Sequence, residues 1–178
     1  MRFLNYIQED KMLDKTMIGY KVNLANIKPL QTSILDFCKH YKLSNFKTSF
    51  EPHISIAYIT NNNDKSKLIR TIHQLPKNFW FNPKELNVFL GKDKKTSYIV
   101  LELNKNKEFT EANKEIKDKF ETSEFPGGMK PHISIGNIQN IDDNLKNKFL
   151  SLKLILPKVK VESIDLYNNK QIQEFSFK

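Results

Sequence analysis

The chain has one cysteine, Cys38, and five glycines among its 178 residues. A lone cysteine builds neither an internal disulfide nor a zinc cluster, and it fits a reducing, intracellular compartment. The glycines form no phosphate-cradling loop, and no His-Glu-x-x-His pattern occurs. There is no run of about 18 apolar residues, so no membrane partner is expected. Residues 1–14 alternate polar and apolar positions and lack a signal-peptide apolar stretch, which points to cytoplasm or nucleus. Arginine is also scarce: Arg2 and Arg70 stand alone, and the net charge of +9 is carried almost entirely by lysine. With asparagine and isoleucine abundant as well, part of that charge reflects an AT-rich coding bias. The charge is therefore compatible with a nucleic-acid partner without demanding one.

What the chain does have is one phrase written twice, Pro52-His53-Ile54-Ser55-Ile56-Ala57 and Pro131-His132-Ile133-Ser134-Ile135-Gly136. On a strand, residues i and i+2 share a face. His53 and Ser55 should point one way and the isoleucines the other, into a core; the same holds for His132 and Ser134. The histidines are 79 positions apart (132 − 53), and that offset also aligns flanking elements without a gap, residues 17–60 over 96–139. It lays Gly19–Leu24 over Tyr98–Leu103, both strand-like, and Leu30, Phe37 and Tyr41 over Phe109, Ile116 and Phe120, both helical stripes.

Each half, 17–91 and 96–178, reads as strand, helix, motif strand, helix, strand. The helices are expected over Pro29–Tyr41, Asp64–Leu75, Glu108–Phe120 and Asp142–Leu152, with Asp64 and Asp142 as N-caps. A final strand, Gln171–Phe177, should pair with Val159–Tyr167 through an Asn168-Asn169 turn, and Gly91–Lys95 is a turn rather than a linker. The expected fold class is α+β in a single bilobal domain. Two pseudo-symmetric lobes, each an antiparallel sheet with outer helices, flank one groove.

A phosphodiester lying between the motif strands would meet two imidazoles and two hydroxyls. One histidine takes the proton of an attacking hydroxyl while the other protonates the departing oxygen. Ser55 and Ser134 donate to the non-bridging oxygens as charge develops on them. No His/Asp/Glu cluster has metal-ligand spacing, so neither metal nor other cofactor is expected. The attacking group is either a ribose 2′-hydroxyl or a water opening a cyclic phosphate.

The repeated phrases, their strand-helix-strand setting and their spacing resemble the 2H phosphoesterase superfamily, over roughly residues 17–178. The resemblance implies a bilobal fold with a pseudo-twofold axis and a metal-independent site in the groove, with catalytic roles at His53, Ser55, His132 and Ser134. Lys95–Leu103 is similar to the segment before the second motif in spliceosomal-snRNA 3′-end phosphodiesterases, whereas the prolines before both histidines resemble the LigT-like group. Compact viral and phage members degrade 2′-5′ oligoadenylate or cyclic dinucleotides, and in that case the location would be host-cell cytoplasm. The expected substrate is thus an RNA end or a small, linear or cyclic, oligonucleotide, acted on by a monomer. A non-catalytic RNA-binding module on the same fold is the competing class.

Around the motifs, Phe125 and Met129 flank the Pro126-Gly127-Gly128 loop and are candidates for covering a base. Lys130 is a candidate phosphate contact, with Glu51 in its place in the first half. Tyr58 and Asn137 occupy corresponding positions after the motifs and are candidates for substrate choice. Strict alternation puts Tyr58 on the core face unless the strand bulges. Phe79-Trp80-Phe81 is expected in the core between lobes, and His40 in solvent.

Overall fold

The structure, a computed structural model, describes residues 16–43, 45–49, 51–61, 64–91, 93–125, 128–168 and 171–175, with backbone alone for Asn168 and residues 171–175. Lys92, Pro126, Gly127 and Asn169 lie outside them. The elements in chain order are β1 (Thr16–Val22), α1 (Leu24–His40), β2 (Lys47–Thr48), β3 (His53–Ile59), α2 (Lys65–Gln74), β4 (Phe79–Phe81), β5 (Pro83–Leu90), β6 (Thr96–Leu103), α3 (Lys107–Lys119), β7 (His132–Gln139), α4 (Asp143–Leu150), β8 (Val159–Asn168) and β9 (Gln171–Phe175).

Each helix starts at a side-chain cap that satisfies a free amide of its first turn. Asp64 accepts from Lys67 N at 2.8 Å and Asp142 from Leu145 N at 2.7 Å, as expected, and Asn106 does the same for Phe109 N at 2.9 Å. Helix α1 starts earlier than Pro29. Asn23 caps it by accepting from Ala25 N at 2.9 Å, and Pro29 sits inside the helix. Pro29 is the sixth residue of α1, past the free amides of the first turn, so it forgoes one helical hydrogen bond and does not mark the helix start.

Two antiparallel sheets form, β3-β1-β8-β4 with β9 on β8, and β2-β7-β6-β5. The lobes are not the two sequence halves. The closing strand of each half pairs with the opening strand of the other: β8 with β1, and β5 with β6. The long helices cross over too. From α1, Gln31 reaches the β7 strand, and from α3, Asn113 reaches β3. Each motif strand is also bordered by the segment leading into the other motif. Ser49 N donates to Ile135 O on β7 at 3.0 Å, and Ser123 N donates to Tyr58 O on β3 at 2.9 Å. Parts of β3 and β7 come within 8 Å of each other, Cα to Cα.

One continuous apolar core lies under the helices, with Ile18, Ile54, Ile99, Ile133, Phe109 and Ile34 among its fully buried members. Phe79 and Phe81 join it, but Trp80 between them is 54% exposed. The three residues form edge strand β4, and strand alternation sends the middle ring outward.

Candidate active site

His53 opens β3 and His132 opens β7, each after a proline that needs no amide partner at a strand start. The proline carbonyls are used instead: Pro52 O accepts from Val22 N at 3.1 Å and Pro131 O from Leu103 N at 3.0 Å. These bonds fasten each motif to the neighbouring strand, β1 or β6. His53 Nδ1 lies 3.1 Å from Glu51 O, and His132 Nδ1 lies 3.0 Å from Lys130 O. A carbonyl only accepts, so each Nδ1 carries the hydrogen, and Nε2 is left as the atom that takes or gives a proton. Both rings are half-buried.

Both motif strands bulge at the same place. Opposite β1, Ser55 pairs with Gly19 and Ala57 with Ile18, so Ile56 is the extra residue. Opposite β6, Ser134 pairs with Val100 and Gly136 with Ile99, so Ile135 is extra. A bulge reverses the side-chain alternation beyond it. It brings Tyr58 to the histidine face, and Asn137 to the corresponding position. Tyr58 Oη stands 3.2 Å from Ser55 Oγ, and the Tyr58 ring packs 5.4 Å from that of Phe125. Tyr58, Ser55 and Phe125 are thereby joined in one cluster. Ser55 also donates to Met17 Sδ at 3.0 Å and is buried, whereas Ser134 is half-buried.

One of the expected rim residues, Met129, lies elsewhere. Met129 is 5% exposed and belongs to the core, so its side chain is not at the surface to cover a substrate. The Lys130 side chain is exposed, and its carbonyl is the part of it that touches His132. His40 is exposed beside Tyr41 and away from both motifs.

The strand two places from each motif strand, β8 from β3 and β5 from β7, supplies an aromatic ring that no motif pattern marks. Tyr167 lies 4.7 Å from the His53 ring and Phe89 lies 6.0 Å from that of His132, centroid to centroid. Tyr167 Oη donates to the buried Asp165 carboxylate at 3.2 Å. The residues directly opposite the histidines differ in charge: Lys21 faces His53 and Glu102 faces His132. Glu102 is buried and accepts from Asn87 Nδ2 at 2.9 Å and Lys84 Nζ at 3.2 Å. Hydrogen bonds to Glu85 and then Glu102 hold the Lys84 ammonium above its ordinary value. Among the described residues, no three His, Cys, Asp or Glu side chains converge as a metal-holding group.

No family model matches the chain, and no curated protein matches it in sequence. Solved structures do share its fold. Usb1 from Kluyveromyces marxianus is 12% identical, covering 94% of this chain and 100% of that one with a TM-score of 0.64. The same protein with uridine monophosphate aligns at 10% identity over 93% and 100%, with a TM-score of 0.67. At that identity the likeness establishes the architecture: an α+β fold of two antiparallel sheets flanked by helices.

Proposed function

We propose that this chain is a metal-independent phosphodiesterase acting on RNA ends or small oligonucleotides, with His53 and His132 as the acid–base pair. The observation that carries the reading is the equivalence of the two histidines. Each opens a bulged strand, each has Nδ1 tied to the carbonyl two residues earlier, and each is followed by a serine on the same face.

In the reaction, one Nε2 takes the proton of a ribose 2′-hydroxyl as its oxygen bonds to phosphorus. The bond to the departing 5′-oxygen breaks, and the other imidazole, initially protonated, delivers its proton there. The products are a 2′,3′-cyclic phosphate and a free 5′-hydroxyl, and proton exchange with water resets the pair. Ser134 donates a hydrogen bond to a phosphoryl oxygen, and Ser55 does the same by turning its hydroxyl hydrogen away from Met17 Sδ. Phe125 and Tyr58 offer aromatic surface in one cluster, and a neighbouring fold with uridine monophosphate bound is consistent with a nucleotide ligand.

The test is turnover of oligouridylate, 2′-5′ oligoadenylate and a cyclic dinucleotide, read by mass spectrometry, with and without EDTA. Shortening of at least one substrate, insensitive to EDTA and lost in both His53→Ala and His132→Ala, is expected. Inhibition by the chelator, or undiminished turnover in both variants, sinks the reading. Salt-sensitive RNA binding with no turnover by the intact chain would favour the binding-module class.

A further inference from the structure

The bulges in β3 and β7 have matching clasps. A bulge takes one residue out of the ladder, so the carbonyl of that residue draws its donors from outside it; Ile135 O has one in Ser49 N at 3.0 Å and takes a second from a side chain. Asn113 Nδ2, from α3, donates to Ile56 O at 2.6 Å. Gln31 Nε2, from α1, donates to Ile135 O at 3.1 Å and to Ser49 O at 3.0 Å. Ile56 and Ile135 are the two extra residues. Both carboxamides sit one position after a buried residue of an apolar stripe: Ile27, Leu30 and Ile34 flank Gln31, and Phe109, Ala112 and Ile116 flank Asn113. Gln31 is only 2% exposed. Plain burial would be served as well by an apolar side chain, and a polar group placed there needs a partner. In both lobes that partner is the carbonyl of the bulged residue.

We infer that Asn113 and Gln31 are positioning residues of the site, each holding the bulge that turns Tyr58 or Asn137 toward the histidine face. The inference deepens the proposed phosphodiesterase reading and rests on it for its consequences in catalysis. The consequence of each bulge is the parity change beyond it. Without the bulge at Ile56, alternation from His53 and Ser55 would continue through residue 57, and Tyr58 would turn toward the helices. Its hydroxyl would then leave Ser55, now 3.2 Å away, and its ring would leave Phe125. The clasps come from the opposite sequence half, so each motif is shaped by the helix that precedes the other. The two motif strands are therefore shaped jointly.

The experiment uses the full chain labelled with 3-fluorotyrosine, the Tyr58 signal being assigned with Tyr58→Phe. In Asn113→Leu the Tyr58 resonance should move further than those of the other five tyrosines, while Gln31→Met should leave it in place. Kinetically, Asn113→Leu should lower kcat/KM about tenfold or more yet add no further loss to Tyr58→Ala, and its loss should multiply with that of Asn137→Ala. An unmoved Tyr58 signal, or a full multiplicative loss on top of Tyr58→Ala, overturns the inference. If Asn113→Leu does not fold, Asn113→Ser repeats the test. The Gln31→Met arm, read through the side-chain amide signal of Asn137, decides it independently. Absence of turnover by the unmodified chain would refute the proposed activity instead, and the resonance readout would still judge the clasps.

Discussion

The rings of His53 and Tyr167 meet at 4.7 Å although they stand two strands apart, because Gly19 lies between them on β1. A Cβ at that position would lie 3.7 Å from His53 Cδ2, 3.5 Å from Tyr167 Cε2 and 3.3 Å from Ile54 O. One methyl is a tight fit, and a branched side chain would wedge the rings apart. Gly19→Ala should therefore keep turnover within a few-fold of the unmodified chain. Gly19→Val should reduce kcat by about 10–100-fold, through misplacement of His53. Circular dichroism melts separate this from unfolding; equal kcat in the two variants would refute the argument.

The histidines should behave as one unit. Each single alanine variant should lose about 10²–10⁴-fold in kcat, the range for a positioned acid or base. The double variant should lose little more than the worse single, because removing either partner already disables the concerted transfer. Turnover should rise and then fall with pH, since one ring must be neutral while the other is protonated. A double variant whose loss is the product of the singles would mean two independent roles.

Gly136 carries a different constraint. It sits where β7 passes β2, and a Cβ there would stand 2.6 Å from Phe46 Cζ as well as against the Lys47 carbonyl. Neither the ring nor the backbone yields cheaply. Gly136→Ala should destabilise the fold by roughly 1–3 kcal/mol, read as a lower urea midpoint with an unchanged slope. Because β2 borders the strand that carries His132, activity should drop as well. A midpoint within error of the unmodified chain would show that β2 simply moves aside.

The His-x-Ser pairs, both motif strands, all four helices and the caps Asp64 and Asp142 were readable in the residues, because alternation and capping are local effects. The ungapped 79-residue register was less secure. It holds for the motifs, but Val22 N and Leu103 N make the equivalent bonds to Pro52 O and Pro131 O, an offset of 81 (103 − 22). Gln31 and Asn113 are equivalent at 82 (113 − 31). The error left no trace in the pattern, since a shift of two preserves a strand face and a shift of three preserves a helix face. Tyr58 was ambiguous for a related reason: the bulge at Ile56 depends on a carboxamide far away in sequence. The rings of Tyr167 and Phe89 gave no signal, because strand order decides which residues adjoin the histidines. Met129 looked like a rim residue only because a loop precedes it.

Cys38 yields the last prediction. The thiol is 3% exposed within α1, and burial pushes it up from its ordinary 9.0 to about 11. The reactive species is the thiolate. At pH 8 the native chain should therefore hold only about 0.1% thiolate, so a disulfide reagent should modify it roughly a hundred times more slowly than the urea-unfolded chain. The same shift has a sign for stability. The native thiol keeps its proton to a higher pH than the unfolded one, so stability is fully present below pH 9 and is lost as pH climbs toward 11. Tyr20, buried and donating to Pro76 O at 3.0 Å, is pushed upward by burial and then by Glu108, and it works in the same direction. Urea midpoints should consequently fall between pH 9 and 11, and Cys38→Ala should flatten part of that slope. Rapid labelling of the native chain at pH 8 would show that α1 opens readily and that Cys38 is not held in the core.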